Sequence, residues 1–294
     1  MMKGRVPGAL AVILIFSILA SISAIHVEMR KLTAGYPDEY RSYYIPSSGQ
    51  VKAFSLGYHN AAADLLFIWF LQFYDWYNKS VRYDYMKHTF EVMTDLDPRH
   101  QEAYIIAALF AFIPLKYEYV YDFLDKGIEK NPDNYVLPYE AGCYAFFSEK
   151  NYDRAAKYFK TAQDRNPDKG IIRSLYAKAL AKRGELEVAL EYFQDLYSKY
   201  ENDDSPEGNY YRGASARYIW NTKVSIAERD VAAAVAEYKT RRGRNPATLA
   251  ELVREGLLPA VPRDPAGNEY KYDRADGKIA CVTNFDPKKA IGRW

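Results

Sequence analysis

A chain of 294 residues exceeds one average domain and is long enough to bury a substantial core. Its 49% hydrophobic and 27% charged residues lie in the globular range and argue against extended disorder, while a net charge of +2 with interspersed signs gives no footprint for nucleic acid. The two cysteines, Cys143 and Cys281, sit outside any C-x-x-C spacing and support neither a disulfide framework nor a zinc site. The 28 tyrosines point to many half-buried positions, because Tyr joins a large apolar body to a polar tip.

Lys3 and Arg5 precede an uncharged run of 19 residues from Pro7 to Ile25. At about 1.5 Å per residue, a helix of that length covers the ~30 Å hydrocarbon core of a bilayer. Residues 1–30 are therefore expected to be a signal-anchor or transmembrane helix, with the N-terminus inside and the remainder facing the periplasm or exterior. The small residues from Ser21 to Ala24 offer the alternative of a cleaved signal and a secreted chain. Residues 31–54, with Gly35, Pro37, Pro46 and Gly49, read as a linker. A strongly apolar helix then begins near Leu56 and runs to about Tyr77; Asp64, Gln72 and Asp75 interrupt it, so it is not a second span. His59 and Asp64 are five residues apart, which places them on different helix faces and argues against an acid/base pair.

Three Asx-Pro pairs follow: Asp97-Pro98, Asn131-Pro132 and Asn166-Pro167, with prolines 34 and then 35 residues apart. Proline cannot continue a helix and pushes the preceding residue out of the α region, so each pair is a stop signal. Twelve, eight and five positions before Pro167 stand Ala155, Phe159 and Ala162; the same slots hold Met86, Phe90 and Met93 before Pro98, and Val120, Leu124 and Gly127 before Pro132. A fourth unit, from Gly184 through Ala189 to Phe193, lacks its closing proline. This period and these slots resemble the tetratricopeptide repeat family, helix-turn-helix units that stack into a solenoid.

The resemblance implies a mostly α fold, with an α-solenoid over residues 55–205. First helices of successive units would line a groove that receives a protein or peptide partner. On that registration the groove residues are Glu102, Ile105, Leu109 and Phe112 in one unit, Tyr144 in the next, and Ile171, Ser174 and Lys178 in another. The basic clamp used by the chaperone-tail-binding members is absent from these positions.

Residues 206–243 read as one or two long helices that cap the solenoid. From Arg244 the texture changes to a small α+β module over 244–294, with a short helix near Pro246, Pro-rich turns, and a strand at Tyr270-Lys271-Tyr272 turned back at Asp276-Gly277. Arg244, Pro246, Leu249 and Leu252, followed by Pro262, Asp264, Pro265, Gly267, Tyr270 and Tyr272, resemble the C-terminal region of the type II secretion major pseudopilin. Ala266 replaces that family's bulky aromatic, its calcium ligands do not map onto this string, and the N-terminal run lacks its processing site. The sequence carries no P-loop, nucleophile-elbow or H-E-x-x-H motif, so no catalytic, cofactor-binding or metal residues are expected. The expectation is a membrane-anchored scaffold of a bacterial envelope; the alternative is a self-associating subunit of a filament or secretion machine.

Overall fold

The computed structural model describes residues 45–73, 82–113 and 117–286, together with Ser17, Ala20, Ala24 and Val27, which are helical and exposed. Apart from three of those positions, the expected membrane span at 7–25 lies outside the described residues. Among the described residues no helix is long and apolar enough to cross a membrane. Everything described is helix or connecting turn except one two-stranded sheet. The chain divides into two compact units, residues 1–120 and 121–294.

The first unit contains α1 (Ser48–Phe54), α2 (His59–Phe73), α3 (Arg82–Leu96), α4 (Gln101–Phe112) and the start of α5 (Tyr117–Lys130). Helix α1 falls within the stretch read as linker. Its start is a capping box: Ser47 Oγ accepts from the Gln50 amide, and Gln50 Oε1 accepts from the Ser47 amide at 2.9 Å. Ser48 Oγ then donates to Asp95 at 3.1 Å, tying α1 to α3. Met86, Phe90 and Met93 are buried. The rings of Phe70 and Phe90 meet edge-on at 4.6 Å and those of Phe70 and Phe110 at 5.2 Å, an arrangement that sets positive ring edges against negative faces. The buried Tyr104 donates its hydroxyl to the Pro98 carbonyl at 3.2 Å, closing the first Asx-Pro turn.

In the second unit, α6 (Val136–Cys143) continues into a π-helix at Tyr144–Glu149 and is followed by α7 (Tyr152–Arg165), α8 (Gly170–Arg183), α9 (Leu186–Lys199) and α10 (Pro206–Arg242). Each of these helices packs on the next in chain order. Ala155, Phe159, Ala162, Ala189 and Phe193 are all buried, so the family slots form the helix-to-helix seam. At Gly142 the approach is close enough that an added Cβ would lie 2.5 Å from Cδ1 of Phe159. The Asn131-Pro132 turn is held from the following pair, because the Arg165 guanidinium donates to the carbonyls of Asn131 at 3.1 Å, Asn134 at 2.7 Å and Ile128 at 3.2 Å. Gly184 ends α8 at φ 90°, a left-handed conformation that glycine reaches without steric cost.

The 37-residue helix α10 serves two cores. Its first half buries Tyr211, Ala216 and Ile219, while its second half presents Val231, Ala234, Val235 and Tyr238 to a separate cluster. That cluster is completed by Leu249 and Leu252 of α11 (Leu249–Arg254), by Leu258 and Tyr270, and by Ile279 of the hairpin β1 (Lys271–Asp273) and β2 (Lys278–Ala280). Several residues between Arg244 and Tyr272 are built into this core and its turns. Leu249 and Leu252 are core, and the Tyr272 hydroxyl donates to the Pro246 carbonyl at 3.1 Å. Buried Asp264 organises its turn by accepting from the amides of Ala266 at 3.0 Å and Asn268 at 2.9 Å and from Thr283 Oγ1 at 2.9 Å. Burial alone would raise its pKa, but these donors outweigh it and hold the carboxyl below its ordinary value.

Two glycine substitutions test the close packing. Gly142→Ala gains about 1 kcal/mol of helix propensity but drives a methyl into the buried Phe159 ring. Overpacking of that kind costs about 1–3 kcal/mol, so its thermal midpoint falls. Gly213→Ala lies in α10, where an added Cβ meets nothing within 4 Å, and raises stability by about 0.5–1 kcal/mol. Thermal unfolding followed by circular dichroism reads both, and a higher midpoint for Gly142→Ala would contradict the packing described.

Candidate partner-binding face

The first unit presents its expected residues on one side of α4. That helix buries Ala103, Tyr104, Ala107, Ala108 and Ala111. Glu102 and Leu109 are exposed, and Ile105 and Phe112 are half-buried, the latter meeting Tyr117 edge-on at 5.9 Å. Glu102 lies 3.6 Å from Nδ1 of His100, the residue that caps α4. His59 and Asp64 part company as expected, since His59 bonds Ser55 Oγ at 2.7 Å while Asp64 faces His100 Nε2 at 3.4 Å.

In the second unit the expected residues separate. Ser174 is buried, because α8 is packed by α7 on one side and α9 on the other, leaving only a narrow strip uncovered. Ile171 packs inward against Leu196, Tyr200 and Tyr211. Ser174 is thereby closed off, whereas Ile171 keeps partial exposure. Tyr144 and Lys178 keep partial exposure. The Lys178 ammonium lies 4.4 Å over the ring of Tyr218 on α10, a cation–π contact of about 0.5–1 kcal/mol.

Two residues that the spacing did not single out share the helix stripe of Tyr144. Phe147 is 61% exposed, an unusual position for a phenylalanine in a helix that has neighbours to pack against. Glu140, one turn before Tyr144, is half-buried, and its carboxylate has no hydrogen-bonding or ionic partner among the described residues. Its desolvation raises the carboxyl pKa, and burial followed by the Glu140 charge pushes the Tyr144 phenol up to about 12. The signal available in the sequence was the i, i+4, i+7 spacing of 140, 144 and 147, on the side of the helix away from Gly142.

The π-helix sets the direction of this stripe. The 35-residue spacing between Pro132 and Pro167 contains one residue more than the preceding spacing, and i→i+5 bonding accommodates an extra residue without ending the helix. Its far end is anchored by Glu149, which accepts from the Tyr121 hydroxyl at 2.8 Å and from Arg154 Nη1 at 3.0 Å and 3.1 Å. Arg154 also lies 4.3 Å over the Tyr121 ring, and Tyr121 stacks on Tyr158 with the planes 5° apart. Burial pushes the Cys143 thiol up to about 11 and raises that of Cys281 as well, so both remain protonated near neutral pH.

Residues 146–207 match the tetratricopeptide repeat family. The matched span covers most of the π-helix, all of α7, α8 and α9, and the start of α10, so the helix pairs and their buried Ala and Phe slots are those of the repeat. Within the matched residues, Phe147 and Lys178 lie on the helices that open each pair, whereas Ala155, Phe159, Ala189 and Phe193 lie on the helices that close it.

The unpartnered Glu140 carries a measurable cost. A carboxyl whose pKa is raised on folding is penalised above its unfolded pKa, and the penalty disappears as pH falls below that value. Glu140→Gln is therefore expected to raise the thermal midpoint at pH 7–8, with the gain fading near pH 4. A midpoint difference that is unchanged or larger at pH 4 would contradict the assignment.

Proposed function

We propose that the protein is a non-catalytic, membrane-anchored scaffold of the cell envelope. Its tetratricopeptide repeats would bind a protein or peptide partner through the first-helix stripe of Glu140, Tyr144 and Phe147. One observation carries the binding role: Phe147 is 61% exposed, and the Glu140 carboxylate is desolvated without a partner among the described residues. An incoming peptide that covers Phe147 and donates to Glu140 relieves both.

Anchoring through residues 7–25 is supported by the length of that apolar run and by the character of the unit it leads into. The end of α1 and the turn after it present Phe54, Leu56 and Tyr58, each more than three-quarters exposed, and Leu65, Ile68 and Leu71 on α2 are also exposed. Apolar patches of this kind mark membrane or protein contacts. The second reading, a self-associating structural subunit, draws on the same patches and on the pseudopilin-like string from Arg244 to Tyr272.

Two measurements on the full chain separate these readings. In native membranes it should resist alkaline carbonate extraction; release into the wash would contradict anchoring. Light scattering of the detergent-solubilised chain should give a mass independent of concentration, and one heterologous species that copurifies should be lost on Phe147→Ala and Glu140→Ala but not on Lys157→Ala. Mass that grows with concentration, with no such species, would favour the self-assembling subunit.

A further inference from the structure

The first unit carries an apolar projection and an apolar hollow that do not meet within one chain. The projection is the turn between α1 and α2. Leu56 takes φ 49° and Gly57 φ 92°, left-handed conformations of which the first is uncommon for a residue with a side chain. The turn is held by the Ser55 amide donating to the Val51 carbonyl and the Tyr58 amide donating to the Ser55 carbonyl, both at 2.8 Å, and Ser55 Oγ bonds the His59 ring. Held in this way, it leaves Phe54, Leu56 and Tyr58 in solvent. The hollow is an open cavity of about 520 Å³ lined by Pro46, Val51, Ala62, Leu65, Leu66 and Trp69. None of the three projecting residues lines it. Leu65 joins the two features, since it lines the hollow and, with Ile68 and Leu71, continues the exposed apolar face along α2.

We propose that the first unit pairs with a second copy of this chain across a two-fold axis, the turn of each copy seated in the hollow of the other. An isologous contact requires a surface that complements itself, residue i meeting j while j meets i, and a projection and a hollow joined through Leu65 supply one. The area agrees. At roughly 200 Å² for a fully exposed large side chain, Phe54, Leu56, Tyr58, Leu65, Ile68 and Leu71 together expose on the order of 800 Å², about what each partner gives to a standard interface. The charge pattern selects a protein over a bilayer surface. Helices that lie in a membrane interface rim their apolar face with Lys and Arg, whereas α1 and α2 together hold one such residue, Lys52. No charged side chain among the described residues lines the hollow, and Asp64, the one carboxylate on α2, faces His100 Nε2 at 3.4 Å. A turn fixed by its own hydrogen bonds also loses little freedom on docking. The pair is closed, so the mass stops at two chains and no filament grows from it. It goes beyond the scaffold reading and depends neither on the Glu140 stripe nor on the anchor.

The test co-expresses two differently tagged full chains, both with Cys143→Ala and Cys281→Ala, one carrying Leu56→Cys and the other Leu65→Cys. Mild oxidation of the lysate should give a disulfide-bridged species of doubled mass that carries both tags and is lost on reduction. Lys157→Cys in place of Leu56→Cys should give no bridge, because that exposed position lies on α7 of the second unit. Adding Phe54→Asp to both chains should abolish the bridge, and the substitution spares the fold because Phe54 is 82% exposed. No bridge from Leu56→Cys, a bridge matched by the Lys157→Cys control, or one that survives Phe54→Asp would overturn the pair. A Leu56→Cys thiol that fails to bridge yet is shielded from an impermeant maleimide only in the membrane fraction would overturn it in favour of the bilayer. Shielding only while another protein copurifies would overturn it in favour of a heterologous partner. Bridging is read without the species that Phe147→Ala removes, so failure of either result leaves the other standing.

Discussion

The contact between Gly142 and the Phe159 ring governs the second unit. Without a side chain at 142, α6 can approach α7 until the ring lies against its backbone, and Ala155 and Ala162 extend the same close seam. Packing of this density tolerates little change in volume, so the helices have one mutual arrangement rather than several. Because each helix rests on its predecessor, the arrangement propagates through α8 and α9 to the first half of α10. Buried slots on second helices and an uncovered strip on first helices then follow from a single geometric requirement.

The tyrosine content has its explanation in the same architecture. Tyr121 and Tyr158 stack with their hydroxyls on Glu149 and Asp125, and Tyr238 reaches Glu251 at 2.7 Å. In each case the ring fills apolar space between helices while the hydroxyl ends on a carboxylate at the edge, which satisfies both halves of the side chain. Glu140 is the exception to this pattern, a carboxylate among phenols with no donor aimed at it among the described residues. On α10 the Trp220 ring meets Phe285, from a distant segment of the chain, edge-on at 5.8 Å.

Much of the fold could be read from the sequence because its punctuation is local. Asx-Pro pairs, Gly184, Ser205 with Pro206, and the Asp276-Gly277 turn each act within a few residues, and each marks a real boundary. The 35-residue spacing signalled an insertion but not its form, because a π-helix and a longer loop absorb one residue equally well in sequence terms. Helix α1 was hidden by Gly49 and Pro46, whose composition resembles a linker although Ser47 and Gln50 form a capping box. The groove was only half legible. Periodicity identifies a helix face, but whether that face stays uncovered depends on the next helices, and α8 is covered at Ser174 and Ile171 by neighbours whose placement no local pattern encodes. Phe285 lies 65 residues from Trp220 in sequence, and no spacing rule links them.

Native-state hydrogen exchange on the full chain tests the central claim, that close seams make the helices from α6 to the first half of α10 one cooperative array. The account predicts that amides of α6 and α7 open with a common free energy, that α8 and α9 are at least as protected, and that α11 with its hairpin exchanges as a separate unit. Independent opening of α6 and α7, each at the rate of an isolated helix, would contradict it.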